Sequence, residues 1–125
     1  MVYMFLNGGG MRGGPLHHHL RGAPLVAETR TAPRYRFYSV NDQFPALAPV
    51  PTGGVAVAGE VYDLPLETLR DSLLPAEPPE LELGLIELAD GTPSLAMVLR
   101  RAHTPTANLI DISDPGSWRL YLESR

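Results

Sequence analysis

The chain has 125 residues and a formal net charge of −4, with 44% hydrophobic and 19% charged residues; that size is one domain with its own core, and mild acidity leaves no electrostatic footprint for nucleic acid. It holds no cysteine, and its ten cationic residues are all arginine. Disulfide scaffolds, cysteine-ligated metals and thiol catalysis are thereby excluded, as are Schiff-base chemistry and a lysine-dependent phosphate loop.

In chain order, Val2–Leu6 is a short apolar run stopped by glycine, which reads as a buried strand. Residues 7–14, Asn-Gly-Gly-Gly-Met-Arg-Gly-Gly, form a loop whose glycines can take positive φ and let a ligand approach the backbone. Pro15 can open a short helix through Leu16, His17, His18, His19 and Leu20. Residues 25–31 and 35–40 read as strands, the second rich in aromatic and β-branched residues. The prolines and paired glycines of 41–54 read as a loop, and 54–62 as a central strand. Residues 63–74 predict the one good helix, with Leu66, Leu69 and Leu73 on one face. Residues 81–88 and 94–99 alternate around Asp90-Gly91, a hairpin signal. Loop signals follow Arg101, and Trp118–Leu122 closes the chain as a short element. The sum is an α+β fold: about six strands, one clear helix and a second short one, in a small mixed, curled or barrel-like sheet. No apolar run reaches the roughly 20 residues of a membrane span, and the N-terminal run lacks the basic region of a signal peptide, so a cytoplasmic protein is expected.

The Gly-rich loop is the most informative local feature. A dinucleotide fingerprint needs a long helix after the glycines and a βαβ unit, and neither is present. What remains is a loop whose N–H groups cradle a small anion such as a carboxylate, or a plain strand-to-helix turn. His17, His18 and His19 are adjacent and point about a hundred degrees apart on a helix, so at most one or two could meet one metal ion; their readings are a structural role or, for one of them, acid, base or hydrogen-bond donor. No metal or cofactor is expected. Glu60 lies in the 54–62 strand, aimed either at solvent or into the barrel. Glu77, Glu80 and Glu82 follow the helix in a proline-rich segment, where one carboxylate facing the loop can serve as a general base. Arg34 and Arg36 share one strand face, and either can hold a carboxylate.

The opening strand, Asn7-Gly8-Gly9-Gly10-Met11-Arg12-Gly13 and then Pro15-Leu16-His17-His18-His19-Leu20, resembles the gamma-glutamylcyclotransferase-like superfamily, and within it the C-terminal domain of allophanate hydrolase. Four further blocks match in order, at 31–38, 59–65, 84–91 and 116–122, so the resemblance spans residues 1–125 as a single domain. It implies a small mixed, barrel-like sheet with a ligand cavity beside the first loop, lined by Asn7, Gly8, Gly9 and Gly10 with His18 near its mouth. The function it implies is a small-molecule enzyme or binder acting on a carboxylate-bearing urea or amide compound, with His18 as acid, base or donor and Arg36 as a further carboxylate holder. The alternative is a cyclotransferase releasing 5-oxoproline. Such enzymes carry Tyr-Gly-Ser or Tyr-Gly-Thr in the loop, where Asn7 and Gly9 stand here, and use a Glu soon after the helix as base, a position to which Glu77 lies nearest. A third reading is a non-catalytic module working with a separate amidase, since the amidase signature is not found in these residues. The resemblance also implies a homodimer, for which Trp118 and Tyr121 either pack on their own sheet or supply a two-fold interface.

Overall fold

The computed structural model describes residues 2–100 and 108–125. Arg101 and His103, with the loop signals that follow Arg101, fall outside them. Among the described residues eight strands form one sheet: β1 (Val2–Leu6), β2 (Leu25–Arg30), β3 (Tyr35–Val40), β4 (Phe44–Pro49), β5 (Ala58–Leu64), β6 (Leu81–Glu87), β7 (Pro93–Leu99) and β8 (Leu109–Asp111). Their order is β2-β5-β1-β7-β4-β3-β8, with β6 on β7. Mixing small parallel contacts into a mostly antiparallel sheet fits the predicted α+β class. None of the helices described is long and apolar enough to cross a membrane.

Two strands exceed the expected six. β4 lies inside the stretch expected to be a loop. Its prolines fall at the second and last positions, where a missing N–H is tolerated, and Ala46-Leu47-Ala48 fills the middle. Asn41 and Asp42 both adopt positive φ, 52° and 59°, and the Gln43 N–H donates to the Val40 carbonyl at 2.9 Å. That turn matches the twist of the β3–β4 hairpin, and Asn-Asp was its signal. β8 is a three-residue edge strand on β3, too short to show a pattern. β5 starts four residues later than expected; Val55 makes only an isolated bridge to Tyr35.

The helix expected at 63–74 runs instead from 66 to 76: α1 (Leu66–Thr68), a π segment (Leu69–Leu73) and α2 (Leu74–Ala76). Pro75 cannot donate a backbone hydrogen bond, and widening the preceding turn removes the need for one. The wider turn also shifts the buried face. Leu69 and Leu73 are buried, each contributing roughly 1.5–3 kcal/mol, whereas Leu66 is 56% exposed. The His17–Leu20 turn is a 3-10 helix, docked on this stretch by Ser72, whose hydroxyl donates to the His19 carbonyl at 2.8 Å. The C-terminal helix α3 (Trp118–Ser124) is capped by the Ser117 hydroxyl and buries Trp118 in the chain's own core. Trp118 thus packs on its own sheet, one of the two expectations for it; Tyr121 donates from its hydroxyl to Asp42 at 2.6 Å.

The register places an opening in the sheet. β6 covers one edge of β7 along its whole length. β1 and β4 share the other edge, β1 opposite Leu95 and Ala96 and β4 opposite Val98. Met97 sits at the point where one partner leaves and the next joins.

Candidate functional site

A cavity of about 410 Å³ lies at that split. The end of β1 and its loop line it with Asn7, Gly8, Gly9 and Gly10, the start of β4 with Phe44 and Pro45, and the end of the helical stretch with Glu77. Its position follows from local chemistry. Pro78 disfavours helical backbone at the residue before it. Glu77 accordingly turns extended, at φ −81° and ψ 146°, and ends α2. That places its carboxyl at the cavity rather than along the helix.

Among the described residues no side-chain cation or hydrogen-bond donor pairs with the Glu77 carboxyl. Burial alone pushes it up from 4.5 to about 7. The loop contributes the opposite character. Among the described residues, the N–H groups of Gly8, Gly9 and Gly10 find no acceptor within the chain, while the carbonyls of all three are used. Three glycines whose N–H groups are free among the described residues and a carboxyl raised to about 7 line one cavity. Such a cavity can take up an anion and move a proton beside it.

The loop glycines act differently from expectation. Only Gly13 among them takes positive φ, 84°. Gly8 is required by packing, because a Cβ there would stand 2.7 Å from Cδ and Cγ of Pro45. Gly8→Ala is expected to cost about 1–3 kcal/mol in chemical denaturation and to displace the loop from β4.

A network missed by the sequence reading holds the loop in place. Glu60 is 1% exposed. It accepts from the Arg12 N–H at 2.9 Å, the Arg12 Nε at 3.1 Å, the Tyr62 hydroxyl at 2.8 Å and Arg119 at 3.3 Å. Arg12 also pairs with Glu28, and Arg119 donates to the Arg12 carbonyl at 2.7 Å. Burial pushes Glu60 up, but the Arg12 N–H, the Tyr62 hydroxyl and the Arg12 guanidinium together hold it below the ordinary range. Burial, and then the bond to Glu60, raise Tyr62 to about 12. His17 completes the scaffold. Its Nδ1 lies 3.0 Å from the Gly10 carbonyl, which only accepts, so Nδ1 carries the proton; its ring packs edge-on against Tyr62.

The other expected site residues stand elsewhere. His18 is exposed, its ring lies against His19, and it is not among the residues lining the cavity. Arg36 is on a different surface, bonded to the Gly53 carbonyl at 2.9 Å and Asp111 at 2.8 Å. It does hold a carboxylate, but one of the chain's own. Arg34 likewise pairs with Glu87. Gln43, Phe44 and Trp118 line the cavity without having been expected there. No group of three or more His, Asp or Glu among the described residues could hold a metal ion.

Comparison with known proteins bears on the same elements. No curated protein matches the chain. Among solved structures, c4763, a uropathogenic E. coli-specific protein, is 35% identical with a TM-score of 0.88, over 98% of this chain and 95% of that one. Kluyveromyces lactis allophanate hydrolase is 25% identical with a TM-score of 0.89, over 98% of this chain but 21% of its own. An AIG2-like protein from Mus musculus is 21% identical with a TM-score of 0.61, over 79% of this chain and 76% of that one, a likeness of fold alone. The fold is gamma-glutamylcyclotransferase-like. Residues 2–123 match the family described as the allophanate hydrolase C-terminal domain. With the match running from β1 into α3 and enclosing every residue that lines the cavity, the chain belongs to the allophanate hydrolase C-terminal domain family.

Proposed function

We propose that the cavity binds a small carboxylate-bearing amide or urea compound and that Glu77 is the general base acting on it. The carboxylate is received by the free N–H groups of Gly8, Gly9 and Gly10. In a cyclisation or hydrolysis Glu77 takes the proton of the attacking amine or water as its bond to the carbonyl carbon forms, and returns it to the nitrogen whose C–N bond breaks. In a loss of carbon dioxide the protonated carboxyl gives its proton to the nitrogen left behind. The observation that supports this reading is that one cavity is lined both by three glycines whose N–H groups are free and by Glu77, whose carboxyl has no cation partner among the described residues. A base works best when its pKa is close to the working pH, and burial brings Glu77 there.

Two substrates distinguish the readings. Release of ammonia or carbon dioxide from allophanate supports the urea-compound activity. Release of 5-oxoproline from γ-glutamyl amides supports the cyclotransferase activity, which the position of Glu77 also favours and the loss of the loop tyrosine and hydroxyl residues, at Asn7 and Gly9, opposes. Glu77→Gln should lower kcat of whichever activity is found by about 10²–10⁴-fold. His18→Ala should leave both kcat and KM within about twofold and stability within about 0.5 kcal/mol, as for other exposed positions. Turnover of neither substrate class by the wild-type chain, or turnover that Glu77→Gln lowers less than about tenfold, would contradict the proposal.

A further inference from the structure

The polar groups occupy only part of the cavity. Phe5, Phe44, Leu81, Met97 and Trp118 line the rest. Phe5, Leu81 and Trp118 are core residues showing one side to the cavity, but Phe44 and Met97 are only half-buried. Met97 packs against both hydrophobic clusters of the chain and sits at their seam, with the cavity over it. The volume, about 410 Å³, falls in the range of roughly 300–1,000 Å³ that takes drug-sized ligands. Allophanate has about seven non-hydrogen atoms and no apolar group, so it would leave the Phe44 and Met97 surfaces wet.

We infer that the ligand carries an apolar or aromatic substituent beside its carboxylate, and that Phe44, Met97 and Trp118 form the subsite that receives it. The polar end of the ligand rests on the reading above; the apolar subsite rests on the side chains that line the split between β1 and β4. The ligand class is then an N-substituted amide or urea acid with a side chain of leucine or phenylalanine size. Burying such a group against half-exposed side chains favours binding over the unsubstituted compound by tenfold or more, roughly what burial of one large apolar side chain supplies.

The test is a binding series read by calorimetry and by the fluorescence of Trp118, the one tryptophan of the chain. The probes are N-carbamoylglycine, N-carbamoylleucine, N-carbamoylphenylalanine and benzylurea, which has the aromatic group but no carboxylate. Affinity should rise at least tenfold from the glycine to the phenylalanine compound. Phe44→Ala and Met97→Ala should each remove most of that increment and leave N-carbamoylglycine bound as before. Two variants are used so that misfolding of one does not decide the matter. Equal affinity for the three acids would overturn the apolar subsite while leaving the proposed function standing. Benzylurea binding as tightly as N-carbamoylphenylalanine would support the subsite and remove the carboxylate reading. Failure of all four to bind would overturn both.

Discussion

Glu77→Gln is expected to lower kcat by about 10²–10⁴-fold, the usual contribution of a positioned general base, with little change in KM. The amide keeps the shape of the carboxyl but cannot accept a proton. The same substitution should stabilise the protein at alkaline pH. The Glu77 carboxyl is raised from 4.5 to about 7 in the folded chain, so the native state binds more protons than the unfolded chain between those values. Its contribution is fully present below pH 4.5 and is lost as pH rises through 7. At pH 8 the loss is about 3 kcal/mol as an upper bound, because the carboxyl is only partly enclosed. Denaturant midpoints of the wild type and Glu77→Gln should therefore separate as pH rises from 5 to 8, with the variant the more stable. Equal midpoints at pH 8 would mean that the carboxyl is well solvated and unsuited to the role. Stability gained where activity is lost is what a functional carboxyl held in an unfavourable environment should show.

Glu60→Ala should give the largest loss of stability, about 2–4 kcal/mol at pH 7. It empties a buried site and leaves the Tyr62 hydroxyl and the Arg12 N–H without their acceptor. Tyr62→Phe removes only one of these bonds and should cost about 1 kcal/mol. The sign with pH is opposite to that of Glu77. Glu60 is held below its ordinary value, so its contribution is present above 4.5 and fades as pH falls through the folded value. Because Arg12 belongs to the Gly-rich loop, the loss should also be local. Amide exchange at Gly8, Gly9 and Gly10 should accelerate in Glu60→Ala more than exchange in β3, which this network does not touch. Uniform acceleration across the sheet would remove the loop-holding role and leave only a packing role.

What could be read from the sequence divides along physical lines. β1, β3 and the β6–β7 hairpin were legible because each rests on a local pattern: an apolar run stopped by glycine, an aromatic β-branched run, and alternation around Asp90-Gly91. β4 was hidden by its prolines, which are turn signals unless they fall at strand ends, and its paired Asn41-Asp42 turn was the clue overlooked. The helix was misplaced because the leucine spacing assumed a regular turn, and the π segment before Pro75 rotates Leu66 out to solvent. At the site, the Gly-rich loop and Glu77 were legible from composition and from the family resemblance. His18 and Arg36 were not excluded by any local rule. His18 stands away from the cavity lining, and the 3-10 turn aims His17, not His18, at the Gly10 carbonyl. Arg36 was claimed by Asp111, 75 positions along the chain. Trp118 and the Glu60 network depend on contacts between distant segments, which no window of sequence displays.

The central claim is that Glu77 and the N–H groups of Gly8, Gly9 and Gly10 meet the same carboxylate-bearing ligand. A side-chain carboxyl carbon NMR titration of Glu77, with the backbone amides of the three glycines followed in the same sample, tests it most directly. The free protein should titrate near pH 7. Saturation with N-carbamoylglycine should move the midpoint higher, because a bound anion disfavours the charged form, and should shift the three glycine amides with the same affinity. A midpoint near 4.5 that ligand does not move, with unshifted glycine amides, would contradict the account.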